Sequence, residues 1–175
     1  RAVHQCAEWH RAGRRVRVAV NLSARDLLQA ELPERFRAML ERHGCAASWI
    51  TLEITESAVL DDPGKALANL ERLRATGCQL SIDDYGTGYS SLSYVRQMPV
   101  QELKIDRSFV MNLLTQPDDE IIVRSTIELA HNMGLVVTAE GVESEAVLDR
   151  LGALGCDLAQ GYFIGKPMAA VDLVA

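Results

Sequence analysis

Short apolar runs separated by amphipathic stretches recur along this chain, and five of them carry a polar group at or near their end. They are Val18-Ala19-Val20-Asn21, Thr51-Leu52-Glu53-Ile54, Leu80-Ser81-Ile82-Asp83-Asp84, Glu102-Leu103-Lys104-Ile105-Asp106 and Val136-Val137-Thr138-Ala139-Glu140. A sixth, weaker run is Leu158-Ala159-Gln160-Gly161-Tyr162. Short runs of this kind between helical patterns read as strands of a parallel sheet buried on both faces. Sheets built that way gather their strand ends on one rim, so the polar groups are expected to converge.

The intervening stretches predict helices. Val3, Cys6, Ala7 and His10 share one helical face within Ala2 to Ala12, and Gly13 stops that helix. Strands are expected over Val16 to Leu22, Trp49 to Thr55, Gln79 to Asp83, Glu102 to Ile105, Leu135 to Ala139 and Ala159 to Phe163. Ser23 and Asp26 suit the start of a helix near Ala24, and Pro33 suits the first turn of a second. Further helices are predicted after Asp62-Pro63, from Glu120 to Met133 and from Ser144 to Leu154, with Gly44, Gly77, Gly134 and Gly155 closing units. Strand then helix, six times, gives an open doubly wound sheet or a β/α barrel. The absence of G-x-G-x-x-G at the first strand–helix turn disfavours the dinucleotide-binding version. The expectation is therefore a TIM-like (β/α) barrel of about six strands, short of the usual eight.

At 175 residues and 48% apolar content, one globular domain with a real core is expected. A net charge of −6 disfavours double-stranded nucleic acid as a partner, and a phosphate ligand would need a local cation. Cys6, Cys45, Cys78 and Cys156 form no C-x-x-C pair and read as reduced, buried thiols rather than zinc ligands. No stretch reaches the roughly 18 to 20 apolar residues of a membrane span, and no signal-peptide pattern opens the chain, so a cytoplasmic domain is expected. Because the first residue is Arg1, the chain reads as an excerpt whose parent carries further domains, membrane-anchored ones among the possibilities.

Asn21, Glu53 and Asp83 offer hard oxygen ligands suited to Mg²⁺ or Mn²⁺. Adjacent Asp83 and Asp84 fit a pair of ions, one carboxylate bridging both, with Glu140 binding the second ion or taking a proton from its water. Asn21, Asp83 or Asp106, each taken alone, is equally well explained as a cap for the next helix. Glu53 and Glu140 are poorer caps. Lys104 lies in an otherwise apolar strand and must face carboxylates or a phosphate; its structural explanation is an ion pair with Asp106. Arg11, Arg14, Arg15 and Arg17 form a basic cluster that reads chiefly as a solvated helix end, with phosphate contact as the alternative. Gly86 and Gly88 fit a flexible loop. The four histidines lack H-E-x-x-H spacing, and there is no G-x-S-x-G.

Taken in order, Asn21-Leu22-Ser23, Leu52-Glu53-Ile54-Thr55-Glu56, Asp83-Asp84-Tyr85-Gly86-Thr87-Gly88-Tyr89-Ser90-Ser91-Leu92, Leu103-Lys104-Ile105-Asp106, Ala139-Glu140-Gly141-Val142-Glu143 and Gln160-Gly161-Tyr162, followed by Lys166-Pro167, resemble the EAL-domain family of cyclic di-GMP phosphodiesterases. Essentially the whole chain is covered. The resemblance implies a partial EAL domain over residues 1–175, its C-terminal three quarters, acting in bacterial second-messenger signalling. It implies metal ligation by Asn21, Glu53, Asp83, Asp84 and Glu140 around two Mg²⁺ or Mn²⁺ ions. Lys104, Glu140, Gln160 and Glu56 take catalytic roles, Glu56 by bracing the loop that starts at Asp84. Asn21, Asp106, Lys104 and Gln160 bind substrate, and the product is the linear dinucleotide pGpG. Tyr85 stands where the family more often has Phe.

The Glu-Ala-Leu tripeptide that names the family is absent; Glu145-Ala146-Val147 falls in a predicted helix and is no substitute. The resemblance thus implies that two barrel strands, one metal-ligating Glu and a ligand-binding Arg lie outside the sequence. Low activity of the excerpt and open sheet edges are expected consequences. The family also suggests a homodimer formed near Ser90 to Met98, with upstream sensor or GGDEF-type domains in the parent. The alternative function is a non-catalytic cyclic di-GMP receptor. A Schiff-base role for Lys104 on the same barrel is disfavoured, because neighbouring carboxylates hold an amine in its charged form.

Overall fold

The computed structural model describes residues 1–87 and 92–173, excepting the side chains of Leu92 and Ser93. The expected loop residues Gly88 to Ser91 lie outside that set, as does part of the segment expected to dimerise. The strands follow one another as β1 (Val18–Asn21), β2 (Ile50–Thr55), β3 (Gln79–Tyr85), β4 (Glu102–Ile105), β5 (Val136–Ala139) and β6 (Leu158–Ala159), adjacent in the sheet in chain order. This is the β/α repeat of an incomplete TIM-like barrel. The chain packs as two compact units, residues 1–81 with 90–99 and 169–175, and residues 82–89 with 100–168.

In the first unit β1 pairs in parallel with β2, bringing Asn21 level with Glu53. Helices α1 (Ala2–Arg11), α2 (Ala24–Leu27), α3 (Leu32–His43) and α4 (Pro63–Arg74) surround that pair. The caps follow the sequence: Ser23 accepts the Asp26 amide and Asp62 accepts the Lys65 amide at the starts of α2 and α4. At the end of α3, Gly44 takes the left-handed conformation that glycine adopts without a Cβ penalty. Leu27, Ile50, Ile54, Leu70, Leu73 and Leu80 are fully buried. The side-chain amide of Asn69 stitches this core to the loop after α2 by donating to the carbonyls of Leu27 (2.7 Å) and Gln29 (3.1 Å). A further short helix, α5 (Leu92–Val95), places Val95 in the buried set.

In the second unit β4 pairs with β5, and β5 with β6, all parallel. Here α6 (Arg107–Met111), α7 (Pro117–Asn132) and α8 (Glu145–Ala153) cover a core of Ile82, Leu103, Ile105, Val110, Ile127 and Leu151. Glu120 of α7 ties in α8, its carboxylate accepting from Arg150 Nη2 and Nε and also from Arg124. No helix among the described residues is long and apolar enough to cross a membrane.

Three sequence expectations need correction. The last strand is only Leu158–Ala159 and does not run to Phe163. After Gln160 the chain turns against the loop beyond β5, where a Cβ on Gly161 would lie 2.1 Å from the Val142 carbonyl oxygen, and Ile164 and Gly165 amides fold back onto the Gly161 carbonyl. β3 extends two residues past Asp83, to Tyr85. Helix α6 was not foreseen, because its five residues are too few to show a hydrophobic period. The cysteines are free, with Cys6, Cys45 and Cys78 buried and Cys156 partly exposed.

Two tests follow from this packing. Gly161→Ala should lower stability by about 2 kcal/mol or more, because the added methyl meets backbone that has nowhere to move; chemical denaturation reads the loss. Arg150 hydrogen bonding, reinforced by its charge and that of Arg124, holds the Glu120 carboxyl below its ordinary 4.5. A depressed acid stabilises the fold at pH values above its unfolded pKa and loses that contribution as pH falls through the folded value. Glu120→Gln should therefore reduce thermal stability at pH 7 and converge on the parent protein in acid; parallel melting curves from pH 7 to 3 check this.

Candidate active site

Three strand ends of the second unit meet around one buried ammonium. Lys104 is 3% exposed and lies near the C-terminal end of β4, with Nζ 3.0 Å from Asp83 Oδ1 on β3 and 2.5 Å from Glu140 Oε1, just past β5. Its expected structural partner, Asp106, is therefore not the one it uses. An ammonium in an apolar strand would be expelled or neutralised if unpaired, so the two carboxylates are what permit a charged lysine here. Parallel register supplies the alignment: Lys104 is level with Thr138 and Ile105 with Ala139, and the Glu140 amide then donates to the Ile105 carbonyl at 3.1 Å.

Asp83, Asp84 and Glu140 each present a carboxylate oxygen within 4.8 Å of the others. Asp83 Oδ1 is buried and, although it sits beside the ammonium, makes no hydrogen bond with acceptable geometry. A buried acceptor with a spare lone pair suits a cation. Asp84 holds φ at +55°, in the left-handed region that costs an L-residue free energy and that Asp tolerates better than most. The Thr87 amide and hydroxyl both donate to its carbonyl. Burial first, then the charges of Asp83 and Asp106, push the Asp84 carboxyl above its ordinary value. An acid so placed gives up its proton more readily once a cation is added.

Asp106 caps α6: one oxygen accepts the Ser108 amide at 2.9 Å and the Ser108 hydroxyl at 2.5 Å. Burial pushes this carboxyl up, but hydrogen bonds from the Ser108 hydroxyl and amide and from the Arg107 amide outweigh it and hold Asp106 below the ordinary value. Gln160 lies just past β6, its amide on the Ala139 carbonyl and its carbonyl on the Val142 amide. A recess of about 210 Å³ is lined by Glu140, Gln160, Glu143, Tyr162 and Arg107. Arg107, Glu143 and Tyr162 were not among the site residues expected from the sequence. The available signal was a cation immediately after the strand-end Asp106, in a region otherwise rich in acids.

In the first unit Asn21, at the end of β1, lies side by side with Glu53 of β2, and the Leu22 amide donates to the Glu53 carbonyl at 2.8 Å. Ser23, not Asn21, caps α2, which leaves the Asn21 side chain out of that role. Glu53 is buried, as is Glu56 at the head of the 3-10 turn Glu56–Val59 that follows β2.

Parallel strands whose carboxylates gather around a buried lysine define an α/β protein with an acidic cluster at its strand ends. The EAL domain profile matches residues 1–167, and the chain belongs to that family. It is 45% identical over 169 residues to the bifunctional diguanylate cyclase/cyclic di-GMP phosphodiesterase MucR of Pseudomonas aeruginosa, covering 97% of this chain and 24% of MucR. It is 43% identical over 174 residues to the cyclic di-GMP phosphodiesterase NbdA of the same organism, covering 99% of this chain and 22% of NbdA. The chain thus spans under a quarter of either relative. The solved MucR phosphodiesterase in complex with c-di-GMP superposes with a TM-score of 0.94 at 42% identity, over 99% of this chain and 70% of that one. That likeness carries the fold assignment.

Lys104→Met should cost about 3 kcal/mol in urea unfolding, because it leaves two carboxylates facing a site that has lost its cation. Lys104→Arg should recover less than half of that loss, since a planar guanidinium does not fit a point-charge site in the core.

Proposed function

We propose that Asp83, Lys104 and Glu140 form the centre of a metal-dependent phosphodiesterase that hydrolyses cyclic di-GMP to linear pGpG. The observation that carries this reading is the buried lysine held by two carboxylates within a three-carboxylate cluster. Membership of a family whose relatives are named cyclic di-GMP phosphodiesterases supports it. The buried Asp83 Oδ1, whose close partner among the described residues is the Lys104 ammonium, supports a cation ligand there. In this assignment Asn21, Glu53 and Asp83 hold one Mg²⁺ or Mn²⁺, and Asp83, Asp84 and Glu140 hold a second. Such ions, when bound, supply Lewis acidity at the phosphodiester and make water a nucleophile at neutral pH.

The residues divide the remaining work. Attack of a water oxygen on phosphorus forms one P–O bond and breaks the bond to the departing ribose 3′ oxygen, leaving a 5′ phosphate on the linear product. Glu140 takes the proton released by that water, and the departing 3′ oxygen takes up a proton from bulk water to leave as a hydroxyl. The Lys104 ammonium faces the charge that builds on the phosphoryl oxygens and holds the water in line. Gln160, Asn21 and the uncapped oxygen of Asp106 orient substrate, while Glu56 braces the segment that begins at Asp84.

Residues 1–175 on this reading are the C-terminal three quarters of an EAL domain, a cytoplasmic domain of a longer parent protein, homodimeric and joined to sensor or GGDEF-type domains. The 175 residues alone should turn over slowly, since they contain no Glu-Ala-Leu segment to complete the ligand set. The test is hydrolysis of cyclic di-GMP with Mn²⁺ or Mg²⁺ by the parent protein and by this chain, with pGpG quantified. Glu140→Gln and Lys104→Ala in the parent should each lower kcat by about 10³-fold or more. Binding without turnover in the parent would assign a receptor instead.

A further inference from the structure

At the opposite end of β1 and β2 from Asn21 and Glu53, the first unit holds a second recess unrelated to the carboxylate rim. His10, Arg15, Val16, Arg17 and Trp49 line a cavity of about 400 Å³, within the range of small-molecule sites. Two of the lining residues form an aromatic pair: the His10 imidazole lies 3.5 Å from the Trp49 ring, centroid to centroid, at an interplanar angle of 10°. The pair is held in place, because His10 Nε2 is 2.7 Å from the Val16 carbonyl oxygen. A carbonyl only accepts, so Nε2 carries the hydrogen and the ring is locked in register with the start of β1.

The charge around this stack is one-sided. Arg11, Arg14, Arg15 and Arg17 fall within seven positions that contain no acid, in a chain of net charge −6. Arg14 is occupied by the Leu173 carbonyl at 2.7 Å. Arg15 and Arg17 are exposed at the cavity, and neither forms an ion pair with a carboxylate among the described residues. Guanidinium groups beside an aromatic shelf match a ligand with a planar ring at one end and a phosphate at the other: the ring extends the stack, and the arginines take the phosphate. Solvation of a helix end explains the exposed Arg11, which does not line the cavity, but does not explain why Arg15 and Arg17 share a cavity with a fixed ring pair.

We infer that the His10–Trp49 stack, with Arg15 and Arg17, is a binding site for a nucleoside monophosphate, separate from the carboxylate rim. Trp9 and Trp49 are the two tryptophans of the chain, so Trp9→Phe leaves Trp49 as the sole reporter. The experiment titrates the full chain carrying Trp9→Phe with GMP, guanosine and inorganic phosphate while following Trp49 fluorescence. GMP should quench with a saturating curve, and guanosine and phosphate should each bind at least about ten-fold more weakly. Arg15→Glu with Arg17→Glu should abolish the GMP response, whereas Asp83→Asn should leave its midpoint unchanged. Circular dichroism is expected to match across these variants. Absence of saturable quenching, a phosphate midpoint equal to that of GMP, survival of the response in the double reversal, or its loss in Asp83→Asn would each overturn the assignment. None of these outcomes depends on whether the carboxylate rim hydrolyses cyclic di-GMP.

Discussion

The burial of one ammonium organises the second unit. A lysine at 3% exposure cannot remain charged without close anionic partners, and here it has two, from the strands on either side. That requirement accounts for the acids at Asp83 within β3 and at Glu140 just past β5, and it makes the parallel register between β4 and β5 consequential. A shift of one position would turn Lys104 to the opposite face and strand both carboxylates. Three acids in so small a volume repel one another, so Lys104 is also what lets Asp83 and Glu140 stay close before any cation arrives. The same contacts that stabilise the sheet therefore also hold the carboxylate cluster together, and on the proposed reading folding and function draw on one set of charges.

What could be read from the sequence follows the range of the interaction involved. The strand segments and their polar ends were legible because burial on both faces writes a continuous apolar run, and β4 was placed to the residue. Helix starts at Ser23, Asp62 and Ser144 were legible because a cap is a local bond between a side chain and an amide three residues on. The partner of Lys104 was not, since the choice among Asp83, Asp106 and Glu140 depends on tertiary register. Asp106 was equally open as a ligand or a cap, and its bond to the Ser108 amide shows that it caps. The shortening of β6 has a different cause. Gly161 sits against Val142 backbone, and no pattern of hydrophobicity records a close approach that only a missing Cβ permits.

Asp84 shows where the local rules give way. Its left-handed backbone and raised carboxyl pKa are both unfavourable in isolation, and both arise because the chain turns sharply just past Asp83 while keeping a second acid near the first. Strain of this kind persists only where surrounding structure overdetermines it, and here the turn is held by Thr87 and by Gly86, whose Cα faces the Phe109 ring. An unstrained residue at this position would point its side chain elsewhere and leave the cluster with two carboxylates in place of three.

Strand length then separates the two kinds of chemistry in the first unit. β1 ends in Asn21, level with Glu53 inside β2, while Arg17 and Trp49 stand immediately before the N-terminal ends of the two strands. Arg17 to Asn21 and Trp49 to Glu53 each span four residues, which at about 3.3 Å each puts roughly 13 Å between the two sets of groups. That exceeds the screening length of about 8 Å at physiological ionic strength. The arginines at one end therefore do not neutralise Glu53 at the other, and a chain of net negative charge can still offer a phosphate a favourable surface.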